Sequence, residues 1–126
     1  MSKKKTLTHD EKIIKALEKV KTPIIDDLRN IFIYFKAQSR SNETGFEHVA
    51  KNYHGLDPSD IELLEDCIKN PLVRIKDKRY PRTYCYYHRR KNDKNNYIKV
   101  VIKVEKRNPK IGYISSIFIT SRIKNK

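Results

Sequence analysis

The spacing of apolar residues changes near residue 71. Before that point they recur every three or four positions, the period of one helix face, and after it they alternate with polar residues, as in a half-buried strand. Helices followed by strands are typical of an α+β fold. We therefore predict N-terminal helices followed by a four-stranded antiparallel β-sheet that the helices cover on one face.

Four helices are predicted in the first part, at residues 8–21, 22–37, 46–55 and 57–69. Thr8 and Glu11 have the spacing of a capping box at the start of the first helix. Thr22-Pro23 places a proline in the first turn of the second helix, and Asp57 is expected to cap the fourth.

Four strands are predicted in the second part, at residues 72–76, 83–90, 96–105 and 111–121. The third has the clearest alternation, because its even-numbered residues from 98 to 104 are apolar, whereas Tyr97, Lys99 and Lys103 point the other way. This strand should present a basic, aromatic face to solvent, which makes Tyr97 and Lys103 candidates for nucleic-acid binding.

The 126 residues are enough for one domain with one core, and residues 1–44 are expected to form its N-terminal helical extension. No apolar stretch is long enough to cross a bilayer, and the start lacks the apolar run of a signal peptide. We therefore expect a cytoplasmic location and no membrane partner. Cys67 and Cys85 are expected to be reduced core thiols, with a disulfide between them as the alternative.

The net charge of +14 is concentrated in one half of the chain. Residues 1–68 carry 11 Lys and Arg against 12 Asp and Glu, whereas residues 69–126 carry 18 against 3. One-sided positive charge attracts polyanions and releases their counterions, which favours nucleic acid as the partner. A solubilising surface and attraction to anionic lipid are the alternatives, but no basic amphipathic helix accompanies the charge.

The basic half has too few carboxylates to hold catalytic magnesium, since Asp77, Asp93 and Glu105 are its only acids. No glycine-rich phosphate loop or nucleophile elbow is present either, so neither a metal nor another cofactor is expected. RNA carries its own nucleophile, the 2′-hydroxyl, and histidine suits the proton transfers that its cleavage needs. The four histidines are His9, His48, His54 and His88. A structural role is the alternative for each.

Residues 82–90 interleave aromatic rings with cations, a pattern that suits stacking on unpaired bases and pairing with phosphates. The candidate nucleic-acid-binding residues in this segment are Arg82, Tyr84, Tyr86, His88 and Arg90. Ordinary β-propensity is the alternative, because tyrosine also fills strands in proteins that bind nothing.

Five short segments, in order, carry a resemblance to a known family: GFEHVAKNYHG (45–55), IKNP (68–71), YCYY (84–87), YIKVV (97–101) and GYISSIF (112–118). They resemble the BECR-fold ribonucleases, the superfamily of barnase, EndoU, colicin-type tRNA nucleases and RelE toxins, and most of all its phage-associated branch. The resemblance covers residues 45–123, which would form the nuclease core. It implies helices followed by a four-stranded antiparallel sheet, and metal-independent RNA cleavage.

The resemblance implies catalytic roles for His48 or His54 as acid and base, for Lys99 as the cation that stabilises the phosphate, and for Ser116 as the hydroxyl that contacts it. Thr120 is a second candidate for contact with the nucleic acid. Where the family often has threonine before a small residue and an aromatic, this chain has Ser115-Ser116-Ile117-Phe118, and the hydroxyl assignment stays open.

The leading hypothesis is a toxin-like or phage-associated endoribonuclease that acts on tRNA or mRNA and leaves a 2′,3′-cyclic phosphate. The second is a non-catalytic RNA- or DNA-binding module that uses the same basic sheet face. A third is an interaction protein that docks an acidic partner, such as an antitoxin or immunity protein.

Overall fold

The computed structural model describes residues 8–35 and 56–123. The helices of this part of the chain are α1 (His9–Glu18), α2 (Pro58–Glu62) and α3 (Leu64–Lys69). Its strands are β1 (Ile24–Asp26), β2 (Ile31–Phe35), β3 (Val73–Lys76), β4 (Thr83–Arg89), β5 (Tyr97–Val104) and β6 (Ile111–Thr120). None of the described helices is long and apolar enough to span a bilayer.

The α+β class is confirmed, but the prediction of a four-stranded antiparallel sheet is wrong. Six strands form one mixed sheet in the order β1-β2-β6-β5-β4-β3. β2 runs parallel to β6, whereas the other neighbouring strands are antiparallel. The predicted meander is present as β3 to β6, and an N-terminal hairpin extends the sheet beyond β6.

That hairpin, β1 and β2, replaces the helix predicted at residues 22–37. Ile24, Ile31 and Phe35 fit one helical face, whereas Ile31, Ile33 and Phe35 fit a strand alternation. The β-branched side chains of this segment favour the extended chain. Asn30 has a φ of 56°, a left-handed conformation that belongs to a turn and not to a helix interior. Pairing of β2 with β6 then buries Ile31 and Ile33 in the core.

Two of the three predicted helix caps are present, whereas the cap at Thr22 is absent because β1 follows it. The Thr8 hydroxyl accepts a hydrogen bond from the Glu11 backbone N–H, and Asp57 forms a reciprocal capping box with Asp60. The fourth predicted helix is interrupted at Leu63, which separates α2 from α3. The third predicted helix, at residues 46–55, lies outside the described residues.

The sheet has two faces with different surroundings. We call the side that packs on the helices the covered face; on β5 it carries Ile98, Val100, Ile102 and Val104, all buried. We call the other side the open face. The Tyr86 hydroxyl of β4 bonds the Asp26 carboxylate of β1 at 2.6 Å although three strands separate β1 from β4, so the sheet curls around its core. Cys67 and Cys85 are buried free thiols, as predicted.

Candidate nucleic-acid interface

Strand register determines which side chains share the open face. Lys99 in β5 pairs with Tyr87 in β4 and with Phe118 in β6, so these three form one row across the sheet. None of the described strand residues on this face is Asp or Glu. On β4, β5 and β6 the open face consists of Thr83, Cys85, Tyr87, Arg89, Tyr97, Lys99, Val101, Lys103, Tyr113, Ser116, Phe118 and Thr120.

The Lys99 ammonium lies between two aromatic rings. Its Nζ is 5.9 Å from the centroid of the Tyr87 ring and 5.8 Å from that of the Phe118 ring. Both distances are within the range of a cation–π interaction. Tyr87 is only 2% exposed, so its ring supports the lysine from within the protein and is not a surface for stacking. The two rings hold a positive charge near the middle of the open face.

Two cavities adjoin Lys99, one on each side. The first, of about 260 Å³, lies towards the loop after β3, and the second, of about 230 Å³, lies towards the end of β6. Lys99 and Tyr87 border both, and each also has an arginine in its wall, Arg79 in the first and Arg122 in the second. A sugar-phosphate chain with a phosphate at Lys99 would therefore meet a further arginine in each direction.

The loop beside the first cavity is organised by Asp77. Its carboxylate accepts hydrogen bonds from the backbone N–H groups of Arg79, at 2.7 Å, and Tyr80, at 3.2 Å. The bond from Arg79 is the main reason why the pKa of Asp77 is lowered, and the charges of Arg79 and Lys99 act in the same direction. The carboxylate thus stays ionised and fixes the turn that carries Arg79.

Two hydroxyl side chains flank the partner of Lys99 on β6. Ser116 and Thr120 lie two residues before and after Phe118, which places them diagonally from Lys99 at a typical spacing of about 7–8 Å between Cα atoms. Ser115 is the extra residue of a β-bulge, and its hydroxyl donates to the Val101 carbonyl at 3.3 Å.

The Thr120 hydroxyl is already engaged with the turn that follows β6. It donates to the Arg122 carbonyl oxygen at 2.9 Å and accepts from the Arg122 backbone N–H at 3.2 Å. Thr120 therefore positions the turn that brings Arg122 to the second cavity, whereas no such hydrogen bond involves the Ser116 hydroxyl among the described residues.

The structure brings part of the predicted site together. Five of its residues share the open face: Tyr97, Lys99, Lys103, Ser116 and Thr120. The residues chosen on β4 do not join them, because Tyr84, Tyr86 and His88 pair with Ile102, Val100 and Ile98 and therefore face the covered side. The odd-numbered residues of β4 occupy the open face instead.

Two of these tyrosines are engaged inside the protein. Tyr86 is fully buried and donates to Asp26, and burial first, then this hydrogen bond, raises the pKa of its hydroxyl. The Arg74 guanidinium lies 3.9 Å from the centroid of the Tyr84 ring. One ring nitrogen of His88, Nδ1, is 2.9 Å from the Arg89 carbonyl oxygen. In this arrangement the Tyr86 ring has no surface on which a base could stack.

The side chains of Arg90 and Arg82 are also packed against other parts of the protein. Arg90 donates two hydrogen bonds of 2.9 Å to the two oxygens of Asp60, which is 1% exposed, and so ties the end of β4 to α2. Arg82 lies in the turn before β4 with a φ of 55°. Its Nε is buried and has no hydrogen-bond partner among the described residues. Neither side chain borders the cavities beside Lys99.

His48 and His54 lie outside the described residues. Sequence reasoning missed five residues that the structure places on or beside the open face: Arg79, Tyr87, Arg89, Phe118 and Arg122. The Arg89 guanidinium is 5.6 Å from the centroid of the Tyr97 ring, an interaction that links β4 to β5. Tyr87 and Arg89 would have been predicted if the register between β4 and β5 had been known, because that register decides which β4 side chains share a face with Lys99.

Across residues 8–35 and 56–123, no group of three or more His, Cys, Asp or Glu residues is placed to hold a metal ion. The described part of the open face therefore offers a ligand the cations and aromatic rings around Lys99. No protein-family model, curated protein or solved structure matches the chain.

Proposed function

We propose that the open face binds single-stranded RNA and that the site around Lys99 cleaves it without a metal ion, as the resemblance to the BECR-fold ribonucleases implies. The observation that carries the proposal is the Lys99 ammonium held between the Tyr87 and Phe118 rings, with cavities on both sides. A lysine in this setting attracts a phosphate, and the partly exposed rings of Tyr97 and Phe118 on the same face suit unpaired bases.

The chemistry needs no group beyond protein side chains and RNA. The 2′-oxygen attacks the adjacent phosphorus while the bond from phosphorus to the 5′-oxygen breaks, which gives a 2′,3′-cyclic phosphate and a 5′-hydroxyl end. One proton leaves the 2′-hydroxyl for a base, and an acid donates another to the departing 5′-oxygen. We assign these two transfers to His48 and His54, and the stabilisation of charge on the phosphorane to Lys99. Ser116 would contact a non-bridging phosphate oxygen.

The test is incubation of the full chain with total RNA and with tRNA in excess EDTA, followed by mapping of the product ends. We expect cleavage with cyclic phosphate ends, a loss of about 10²-fold or more in His48→Ala and His54→Ala, and a loss of about 10²-fold in Lys99→Ala. Lys106→Ala removes the same charge from the exposed β5–β6 turn and should leave the rate unchanged. Cleavage that stops in EDTA, or that persists in both histidine variants, would contradict the proposal.

A non-catalytic RNA-binding module is the second candidate. One observation favours it: His88, the one histidine whose side chain is described, lies on the covered face and not beside Lys99. RNA that stays intact but binds in a salt-sensitive manner, with weaker binding in Lys99→Ala than in Lys106→Ala, would support the module. Either function is proposed for the cytoplasm.

A further inference from the structure

A third cavity lies away from the open face, between α1, β1 and the α2–α3 pair. Its volume of about 730 Å³ exceeds that of either cavity beside Lys99. We call it the α1 groove. Its apolar residues are Ala16, Val20, Pro23, Ile24, Ile25, Pro58 and Ile61, and its charged residues are Lys12, Lys15, Lys19, Lys21, Glu62, Glu65 and Lys69.

The two walls of the α1 groove differ in charge. Lys12, Lys15 and Lys19 lie on α1 and Lys21 follows it, whereas Glu62 and Glu65 lie on the opposite wall. Glu65 is paired with Lys69 at 3.2 Å. None of the ion pairs between described residues involves a lysine of α1 or Lys21. Within the described part of the chain, the α1 wall therefore presents unpaired positive charge beside an apolar surface.

The positive charge of the α1 groove does not follow from the net charge of the part of the sequence that forms it. Residues 1–68, which contain the α1 groove except for Lys69, carry one more acid than base, yet five lysines and only two glutamates border the groove. A flat anionic membrane does not fit a concave surface whose apolar residues lie between two walls. A sugar-phosphate chain does not fill an apolar groove, and the Glu62 carboxylate opposes it.

We propose that the α1 groove binds an amphipathic helix of a protein partner, with apolar side chains inserted between α1 and the α2–α3 pair and acidic side chains against the α1 lysines. An amphipathic helix laid in an apolar groove is a common mode of peptide recognition. The lysines on α1 and the glutamates on the other wall set its orientation, because the acidic side of the partner helix has to face α1. The inference does not depend on RNA binding or cleavage.

The experiment uses the full chain and three fluorescein-labelled helical peptides about five turns long. The acidic peptide carries leucines on one face and glutamates beside them, the basic peptide has lysines in place of the glutamates, and the polar peptide has serines in place of the leucines. Fluorescence anisotropy measures binding. We expect the acidic peptide to bind with a Kd of about 10 μM, and the other two about ten-fold or more weakly.

Charge reversal then locates the site. Lys15→Glu with Lys19→Glu should weaken binding of the acidic peptide by about ten-fold or more. Lys106→Glu with Lys110→Glu changes the net charge equally at exposed positions in the β5–β6 turn and should change binding by less than about two-fold. Thermal unfolding verifies that both double variants are folded.

The peptide experiments would overturn the proposal if the acidic and basic peptides bound equally, if the two charge reversals weakened binding equally, or if the acidic peptide did not bind at about 1 mM. Uncleavable 2′-O-methyl RNA and phosphatidylserine vesicles are titrated alongside. If only one of the two, the RNA or the vesicles, binds, and only Lys15→Glu with Lys19→Glu weakens that binding, the groove is a nucleic-acid or lipid site and the proposal is wrong.

Discussion

Tyr86 and Tyr87 are neighbours on β4, yet they belong to the two different faces of the sheet. On the covered face the Tyr86 hydroxyl is satisfied by the buried Asp26 carboxylate. On the open face the Tyr87 ring supports the Lys99 ammonium. The same residue type thus has a structural role at one position and supports a candidate binding site at the next, because successive side chains of a strand point to opposite faces.

The ionic groups of the two faces differ in the same way. Behind the sheet, Arg90 and Asp60 form a two-pronged ion pair, and Asp26 accepts from both Tyr86 and Arg29. No such carboxylate pairs with Lys99 among the described residues. Charge on the covered side is therefore used for stability, whereas the charge of Lys99 remains available to an anion.

The largest effect on stability is expected at Asp60. Asp60→Ala leaves the Arg90 side chain, 15% exposed, without its two-oxygen partner and removes half of the Asp57 capping box. We expect the free energy of unfolding to fall by about 3 kcal/mol, measured by urea denaturation. Glu65→Ala breaks the exposed ion pair with Lys69 and should cost less than about 1 kcal/mol. Equal losses would mean that the covered side is not distinguished by its buried pairs.

Removal of the Tyr86 hydroxyl should have the next largest effect. Tyr86→Phe keeps the buried ring but takes away one hydrogen bond of the Asp26 carboxylate, which is 1% exposed. We expect a loss of about 2 kcal/mol in the free energy of unfolding. Tyr84→Phe, at the neighbouring position of the same face, keeps the ring under Arg74 and should cost less than about 0.5 kcal/mol. A smaller loss for Tyr86→Phe than for Tyr84→Phe would contradict the assignment.

A change on the open face should affect binding and not stability. Lys99→Ala removes one phosphate contact, so the slope of log K against log salt for a single-stranded RNA should become shallower by about 0.7. The free energy of unfolding should change by less than about 1 kcal/mol, because the cation–π contacts of Lys99 with Tyr87 and Phe118 are worth about that much. Lys106→Ala is the control. A loss in the free energy of unfolding as large as that of Asp60→Ala would show that Lys99 stabilises the fold.

The smallest effect is on the pH dependence of stability. The backbone N–H of Ser59 is the main reason why the pKa of Asp57 is lowered in the folded chain. Stability from a lowered carboxyl pKa is present above the unfolded value of about 3.9 and is lost as the pH falls below it. Asp57→Asn keeps a cap that does not titrate, so its unfolding free energy should fall less between pH 5 and pH 2. Parallel curves for both proteins would refute this role.

The sequence allowed the β3–β6 meander to be predicted because turn residues separate short runs that are rich in β-branched and aromatic residues. It did not allow β1 and β2 to be predicted, since Ile31 and Phe35, four residues apart, fit both periods and the choice depends on pairing with β6, a contact distant in sequence. Local spacing carries no information about such a contact.

The candidate site was likewise predictable only where a strand alternates clearly between polar and apolar residues. β5 alternates clearly, so Lys99 and Lys103 were assigned to the correct face from the sequence alone. The run Tyr84-Cys85-Tyr86-Tyr87 has no polar alternation, and its phase is set only by the register in which Tyr87 pairs with Lys99. The cations at Arg79 and Arg122 belong to turns, whose positions follow from the folded sheet.

The contrast between the two faces is tested most directly by backbone amide chemical shifts of the full chain, titrated with uncleavable 2′-O-methyl RNA. We expect shifts that concentrate at Tyr97, Lys99 and Lys103 and at residues 116–122, and that disappear at high salt. Shifts that concentrate instead on the covered face, at Arg74, Tyr84 and Tyr86, or in the α1 groove, would contradict it.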